Sequence, residues 1–207
     1  MARMSVDQRR SALIESAYRV IADHGVEGAT TRRICAHAGM PLASFHYAFE
    51  SRTALLCAVM ETAVPTDIER MLHTLLPGAV YSPTPDIANI RENMEGQFRA
   101  FYDLLKADPG RMQAAIALGI YAHNHPELQQ VGKHMYEQLY RVASAGLQSI
   151  TDLTGVVWTT PVEELGPVVI AATNSITLIY LSTADDKVVD AIIRSITDQL
   201  MTHVRFD

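Results

Sequence analysis

Aliphatic residues recur at helical spacing near the C-terminal end, and this pattern limits the possible folds more than any other feature of the chain. One apolar stripe runs through about residues 187–205: Val188, Val189, Ile192, Ile193, Ile196, Leu200 and Val204. Residues 162–183 form a second strongly apolar segment just before it. A monomer of 207 residues cannot easily cover both faces, so we expect them to pair across a two-fold axis as a four-helix interface. The alternative is a fully buried monomer core.

Helical spacing also dominates the first sixty residues, where glycine and proline mark the breaks. A first helix is predicted to stop at Gly25, and a second, which Thr30 or Thr31 can cap, to end at Gly39. A third begins at Pro41, because proline in a first turn loses no helical hydrogen bond. Pro65 is predicted to kink or end the fourth.

The rest of the chain consists of further predicted helices separated by two loops. Helical apolar spacing covers residues 86–108, 109–124 and 126–153, while prolines and glycines place loops at 77–85 and 155–161. No segment shows the alternation of a strand, so the predicted fold class is all-α.

Composition is typical of a folded cytoplasmic protein. Cys35 and Cys57 are too few for a disulfide framework and fit small buried apolar positions, with a redox sensor as the alternative. The N-terminal residues carry charges where a signal peptide would be apolar. The most apolar run, residues 165–181, is broken by glycine, proline and polar residues, which favours a buried helix over a membrane span.

Charge is distributed unevenly along the chain. The formal net charge is −6, yet residues 1–60 hold seven arginines against five acidic residues, for a net charge of +2. The remaining residues carry a net charge of −8. A basic head on an acidic body is typical of a protein whose head alone meets a polyanion.

No motif in the chain combines the residues of a catalytic or metal site. Glu-x-x-His pairs, His-Glu-x-x-His, Cys-x-x-Cys, Gly-x-Ser-x-Gly and a phosphate-binding loop are all missing from the sequence. His123 and His125 lie at a predicted helix end and are typical of caps or exposed side chains. We therefore predict no enzyme activity, no metal and no cofactor.

Residues 31–49 have the dimensions of a helix-turn-helix, a motif that places its second helix in the major groove of DNA. At about 100° per residue, one side of that helix collects side chains suited to base edges or phosphates: Leu42, Ala43, His46 and Tyr47. Phe45 and Phe49 fall on the other side and are predicted to join the core. An ordinary helical hairpin with exposed aromatics is the alternative.

Positive charge is predicted at two helix starts, where phosphate binding is favourable. Thr31 and Arg32 begin the second helix, and Arg52 begins the fourth.

The run GATTRRICAHAGMPLASFHYAFESRTALL resembles the N-terminal DNA-binding domain of the TetR family of bacterial transcriptional repressors. Six positions match the family pattern directly: Thr31, Ile34, Ala38, Gly39, Phe49 and Leu55. The resemblance is specific over about residues 8–60. It implies a helix-turn-helix DNA-binding domain at residues 1–50 and a helical-bundle ligand-binding and dimerisation domain at residues 51–207.

Departures from the family pattern concentrate on the third helix. Pro41 replaces the usual Ser or Thr, Ala43 replaces Gly, and His46 replaces Tyr. Arg52 replaces Lys and keeps the charge. The full set of predicted DNA-binding residues is Thr31, Arg32, Arg33, Pro41, Leu42, Ala43, Ser44, His46, Tyr47 and Arg52.

The resemblance also implies a homodimer, paired through the two C-terminal helices, that reads a pseudo-palindromic operator and is released by a small-molecule effector. Nine methionines and many apolar residues favour a hydrophobic effector. The candidate ligand-binding residues are Phe98, Tyr102, Met112, Ile116, Tyr121, Met135, Trp158 and Asn174. Core packing is the alternative for each. Asn174 stands out because a polar amide in an apolar helix needs a ligand, a water or the second subunit as partner.

Helix four would join the head to the body, so an effector that moves it would change the separation of the two heads, with Pro65 as the joint. Activation instead of repression stays open. Two other classes of protein remain as alternatives: a helical enzyme and a helical partner-binding module without DNA activity.

Overall fold

The computed structural model of the chain describes residues 4–75 and 86–205, without the side chains of 72–75. The loop predicted at 77–85 lies outside these residues. Helices make up nearly all of the described chain, and the predicted all-α fold class is confirmed.

The helices follow one another with short connections. Their bounds are α1 Val6–Gly28, α2 Thr31–His37, α3 Ala43–Ala48, α4 Arg52–Ala58, α5 Val64–Leu75, α6 Ile87–Ala107, α7 Pro109–His123, α8 Gln129–Thr154, α9 Val162–Thr183 and α10 Asp186–Met201. A π-helical turn, Val59–Ala63, joins α4 to α5, and two short strands, β1 Val157–Trp158 and β2 Val204–Arg205, complete the order.

Side-chain caps explain where several helices begin. Ser5 and Gln8 form a capping box at α1, in which the Ser5 Oγ accepts from the Gln8 N–H at 3.1 Å. The Asp86 carboxylate accepts the Asn89 N–H at the start of α6, and Asp185 accepts two N–H groups at the start of α10. These caps satisfy donors that a helix start would otherwise leave without partners.

Gly25 interrupts the first helix as predicted. Its φ of +71° is left-handed, a conformation that glycine adopts without a Cβ clash, and one more turn follows to Gly28.

Of the two outcomes predicted at Pro65, a kink or an end of helix four, the structure excludes the end. The chain instead stays helical through Pro65, because the widened turn Val59–Ala63 comes directly before α5. A π turn relieves the hydrogen-bond pattern at the point where proline lacks an N–H and crowds the preceding turn.

Two short strands correct the expectation of no strand. Val157 pairs with Arg205 and Trp158 with Val204, in antiparallel register. The last helix therefore ends at Met201, and Val204 belongs to β2 instead of the predicted helical stripe. This pairing joins segments far apart in sequence, so local periodicity does not reveal it.

The described chain forms two compact units. Unit 1 contains residues up to 67 together with 110–136, and unit 2 contains 68–109 together with 137–207. The functional boundary predicted at residue 50 stays a prediction, because compactness does not test function.

A buried carboxylate connects three helices within unit 1. Asp67 on α5 is 4% exposed and accepts hydrogen bonds from the Arg111 guanidinium and from the Tyr18 hydroxyl, the latter at 3.3 Å. Burial, reinforced by the Asp67 charge, raises the pKa of Tyr18 well above its usual value. The phenol therefore stays protonated and keeps its ability to donate.

Unit 2 is built on the packing of α6, α9 and α10 around buried aliphatic residues such as Ile90, Ile176 and Ile193. Ion pairs at its surface connect α6 to α10. Arg99 pairs with Glu95 on its own helix and with Asp190 on α10, and these hydrogen bonds raise the pKa of Arg99.

Within the described residues, one helix, Val162–Thr183, is long and apolar enough to cross a membrane. Its most apolar 18-residue window has a mean hydropathy of 1.5. About a third of that apolar window is buried in the single chain. Length and composition alone are weak indicators, because core helices of globular proteins pass the same test.

The substitution Asp67→Ala is expected to lower the free energy of unfolding by about 3 kcal/mol, because it removes the buried carboxylate that pairs with the Arg111 guanidinium. The Tyr18 hydroxyl can still donate to the Arg111 carbonyl, at 3.1 Å. Tyr18→Phe is expected to cost about 1 kcal/mol, as for one hydrogen bond. Urea denaturation followed by circular dichroism measures both.

The control is Asp23→Ala, which breaks the exposed pair between Arg19 and Asp23 and should change stability by less than about 0.5 kcal/mol. A loss at Asp67 no larger than the loss at Asp23 would show that the buried pair does not stabilise unit 1.

Candidate nucleic-acid interface

The turn between α2 and α3 is defined by backbone hydrogen bonds. Thr30 caps α2 by accepting the Arg33 N–H at 3.3 Å, as predicted. At the other end, the Met40 N–H donates to the Cys35 carbonyl at 2.9 Å, and Gly39 has a φ of +64°. This is the Schellman arrangement, in which a left-handed glycine stops a helix sharply.

The inner side of this helix pair is fully buried. Phe45 is 1% exposed and Phe49 3%, with ring centroids 5.9 Å apart, as expected for core residues. Ile34 and Cys35 of α2 are buried as well. Burial raises the pKa of the Cys35 thiol, which disfavours the reactive thiolate.

Helix α1 fixes the end of α3 through one arginine. The Arg10 guanidinium lies 4.2 Å from the Phe49 ring centroid, and its Nη1 donates to the Ala48 carbonyl at 3.0 Å. Sequence reasoning missed this residue, because a charged side chain on an outer helix face gives no signal that it covers an aromatic ring.

The outer side of α3 is open to solvent. Tyr47 is 75% exposed and Leu42 41%. Pro41, Ala43 and His46 are exposed beside them, and Ser44 is half-buried. The predicted contact residues on α3 thus share one accessible surface.

The predicted basic residues fall into two groups. Arg32 is exposed at the start of α2, next to the half-buried Thr31. The Arg33 guanidinium donates to the Gly28 carbonyl at 2.6 Å, and Arg52 is half-buried with its guanidinium bonded to protein acceptors. Sequence alone does not distinguish these environments, because all three arginines stand at helix starts.

The predicted ligand residues are divided between the two units. Met112, Ile116, Tyr121 and Met135 belong to unit 1, and Phe98, Tyr102, Trp158 and Asn174 belong to unit 2. Met135 is fully buried, and Trp158 donates its indole N–H to the Leu147 carbonyl at 3.1 Å. Their assignment as ligand residues stays a prediction.

Tyr102 has the most polar surroundings of the unit 2 group. Its hydroxyl donates to Asp186, its ring makes an edge contact with Tyr180 at 5.3 Å, and the Lys106 ammonium lies 4.4 Å from its centroid. Burial and the bond to Asp186 raise the pKa of Tyr102 well above its usual value.

Unit 2 also contains an open groove of about 290 Å³ between α8 and the start of α9. It is lined by Tyr140, Arg141, Ser144, Ala145, Gln148, Val162 and Glu163. None of the predicted ligand residues lines this groove. The sequence did not indicate it, because a groove between two helix faces is not marked by a motif. Among the described residues, no three His, Cys, Asp or Glu side chains come together as a metal site.

A buried hydrophobic core, a left-handed turn and an exposed second helix define unit 1 as containing a helix-turn-helix of the DNA-binding kind. Residues 13–59 match the sequence model of a family described as bacterial regulatory proteins, tetR family. The match spans α2, α3 and α4, so the helix-turn-helix segment of the chain is similar to that of this family.

Similar proteins include the HTH-type nicotine-responsive transcriptional repressor HdnoR of Paenarthrobacter nicotinovorans, 26% identical over 134 residues. That match covers 65% of this chain and 64% of the relative, slightly less than two thirds of each.

Two solved structures share the fold at low sequence identity. A transcriptional regulator from Rhodococcus sp. RHA1 has a TM-score of 0.62 and 16% identity, over 94% of this chain and 97% of that one. FadR from Bacillus subtilis, solved with stearoyl-CoA, has a TM-score of 0.62 and 15% identity, over 94% and 99%.

The two sides of α3 should respond differently to substitution. Phe45→Ala is expected to lower the free energy of unfolding by about 3–5 kcal/mol, because it leaves a cavity in the core of the head. Tyr47→Ala removes a similar ring from an exposed position and should change stability by less than about 0.5 kcal/mol. Thermal and urea unfolding of both variants check this, and equal losses would contradict the assigned orientation of α3.

Proposed function

We propose that the chain is a ligand-responsive transcriptional regulator, acting as a repressor, that binds a pseudo-palindromic operator as a homodimer in the cytoplasm. The observation that carries this proposal is the exposed face of α3, where Leu42, His46 and Tyr47 project from a helix whose other side is buried. A monomeric core has no use for this face, whereas a major groove accepts it.

The chemistry of this face suits base edges and phosphates. Leu42 and Ala43 offer apolar contact to a thymine methyl group, and small residues at the helix start allow close approach. His46 and Tyr47 can hydrogen-bond a base edge or a phosphate oxygen, and Arg32 at the start of α2 adds a positive charge. Phosphate contacts would set the register, and contacts from α3 would select the sequence.

The proposed dimer forms through α9 and α10. Along α9, Ala171, Ser175 and Leu178 recur at helical spacing on an exposed face, and Leu178 is 59% exposed. Val188 at the start of α10 is 42% exposed. Pairing of these faces around a two-fold axis would bury them and would set the two α3 helices about 34 Å or more apart.

Asn174 supports the same interface. Its side chain is half-buried on the flank of the exposed α9 face, where a second copy could supply a hydrogen-bond partner.

The effector is proposed to be a small hydrophobic molecule. HdnoR is named as nicotine-responsive, and FadR was solved with stearoyl-CoA, whose acyl chain is apolar, so two proteins similar to this chain respond to or hold ligands with apolar parts. We propose that such a ligand binds one of two conformations more tightly and thereby weakens operator binding. The π turn before Pro65 is the proposed joint.

Selection from a random duplex library, followed by fluorescence anisotropy, tests DNA binding directly. The wild type should enrich a two-fold symmetric sequence and bind it with an affinity that falls steeply as salt rises. Tyr47→Ala should weaken that binding at least about tenfold, because each dimer loses two contacts.

Leu153→Ala is the matched control, since Leu153 is also exposed, at 62%, but lies on α8. It should bind as the wild type does. If a folded dimer enriches no sequence and binds no duplex at low salt, the proposed function is wrong.

Leu178→Glu is expected to convert the dimer to a monomer, because it places two carboxylates in an apolar interface. Light scattering coupled to size exclusion measures the mass. Leu153→Glu carries the same change outside the proposed face and should remain dimeric. A dimeric Leu178→Glu variant would exclude this face as the interface.

A further inference from the structure

The Arg52 side chain is turned toward acceptors within unit 1. Its Nε donates to the Ala29 carbonyl at 2.9 Å, and its Nη1 donates to the Tyr121 hydroxyl at 3.2 Å. Its Nη2 donates to the Val26 carbonyl. All three guanidinium nitrogens therefore bond the protein, and the side chain is half-buried.

Two of these acceptors lie where α1 ends and the chain turns into α2. Val26 follows the left-handed Gly25, and Ala29 immediately precedes Thr30, the cap of α2. The Val26 carbonyl also accepts the Ala29 N–H at 3.1 Å, and a charged side-chain donor adds a strong bond to a carbonyl at the end of a helix. Arg52 thereby fixes the backbone from which α2 starts.

The third acceptor belongs to α7 and is itself held in place. The Tyr121 ring stacks on the His125 ring, with centroids 3.8 Å apart and planes at 18°. The His125 Nδ1 lies 2.7 Å from the Tyr121 carbonyl oxygen, so this nitrogen donates, because a carbonyl only accepts. The Tyr121 hydroxyl, which accepts the hydrogen bond from Arg52, is therefore carried by a ring that is held in place.

We propose that Arg52 is a positioning residue for DNA binding: it holds the α1–α2 turn, and with it the helix-turn-helix, against Tyr121 of α7, and it does not itself bind a phosphate. The inference rests on the proposed DNA-binding function. It replaces the phosphate contact predicted from the sequence, where Arg52 was equated with the lysine usual in the family.

The planar shape of the guanidinium makes the proposal testable. Three donors in one plane can reach two carbonyls and a hydroxyl at once, whereas a lysine ammonium is a point charge on a flexible stem. A phosphate contact needs chiefly the charge, which lysine keeps. Arg52→Lys and Arg52→Gln therefore separate the two roles.

The experiment measures the affinity of both variants for the duplex selected by the wild type, as a function of salt concentration. It is carried out at a temperature where circular dichroism shows each variant fully folded, so a loss of stability alone does not lower affinity. For a positioning role, both variants should bind about tenfold more weakly, with the salt slope of the wild type.

A phosphate contact gives a different pattern. Arg52→Lys would then keep wild-type affinity, and Arg52→Gln would lower the salt slope by about 0.9 for each phosphate lost, or about 1.8 for a dimer. Either observation would overturn the proposal. Arg32→Gln is the matched control for a phosphate contact, because Arg32 is exposed and, within the described residues, bonds no protein acceptor.

Tyr121→Phe tests the link to α7 without changing charge. It removes the hydroxyl that accepts from Arg52 and keeps the ring that stacks on His125. In the fully folded protein it should weaken DNA binding severalfold, and Arg52→Gln with Tyr121→Phe should be no weaker than Arg52→Gln alone. Additive losses would exclude the link.

Urea unfolding without DNA is measured for the wild type, Arg52→Gln, Tyr121→Phe and the double variant. It separates failure of this inference from failure of the proposed function. Absence of DNA binding by the wild type concerns the proposed function only. Coupling between Arg52 and Tyr121 in unfolding is expected in either case, and its absence would overturn the inference.

Discussion

The burial of Phe45 and Phe49 is the interaction on which the exposed face of α3 depends. Helix α3 has only six residues and would not be stable alone, so its place in the structure comes from the two rings on its inner side. Once these rings are buried, helical geometry sends Tyr47 and His46 outward. The exposed face is thus a consequence of the core.

Short helices also place many backbone carbonyls at their ends, and arginines donate hydrogen bonds to several of them in unit 1. Arg10 bonds the last carbonyl of α3, Arg33 bonds Gly28, and Arg52 bonds Val26 and Ala29. A count of positive charges therefore overstates the number of arginines available to contact DNA phosphates. The net charge of +2 in the first sixty residues includes three arginines already engaged with carbonyls. Among the arginines predicted to bind DNA, Arg32 is exposed and makes no such bond to a carbonyl within the described residues.

The elements that could be predicted are those set by neighbouring residues. Helical spacing, the Thr30 cap and the Gly39 stop all act within one or two turns, and each is found where the sequence places it. The strand pair and the end of α10 at Met201 depend on contact between residues almost fifty positions apart, which periodicity cannot show. The π turn arises because Pro65 is buried within a continuing helix, whereas proline by itself indicates only a break.

The same distinction separates the proposed DNA-binding face from the proposed effector site. A recognition helix is one short segment, so its residue types and spacing lie together in the sequence. A ligand cavity is assembled from many helices, and the residues that line it resemble core residues one by one. Tyr102 and Tyr121 illustrate this: both read as large groups on apolar helices, yet one bonds Asp186 and the other accepts from Arg52. Tyr121 contacts Arg52 within unit 1, and this contact accounts for the residue without any ligand. A side chain predicted to bind an effector can therefore instead be the acceptor through which an arginine positions the helix-turn-helix.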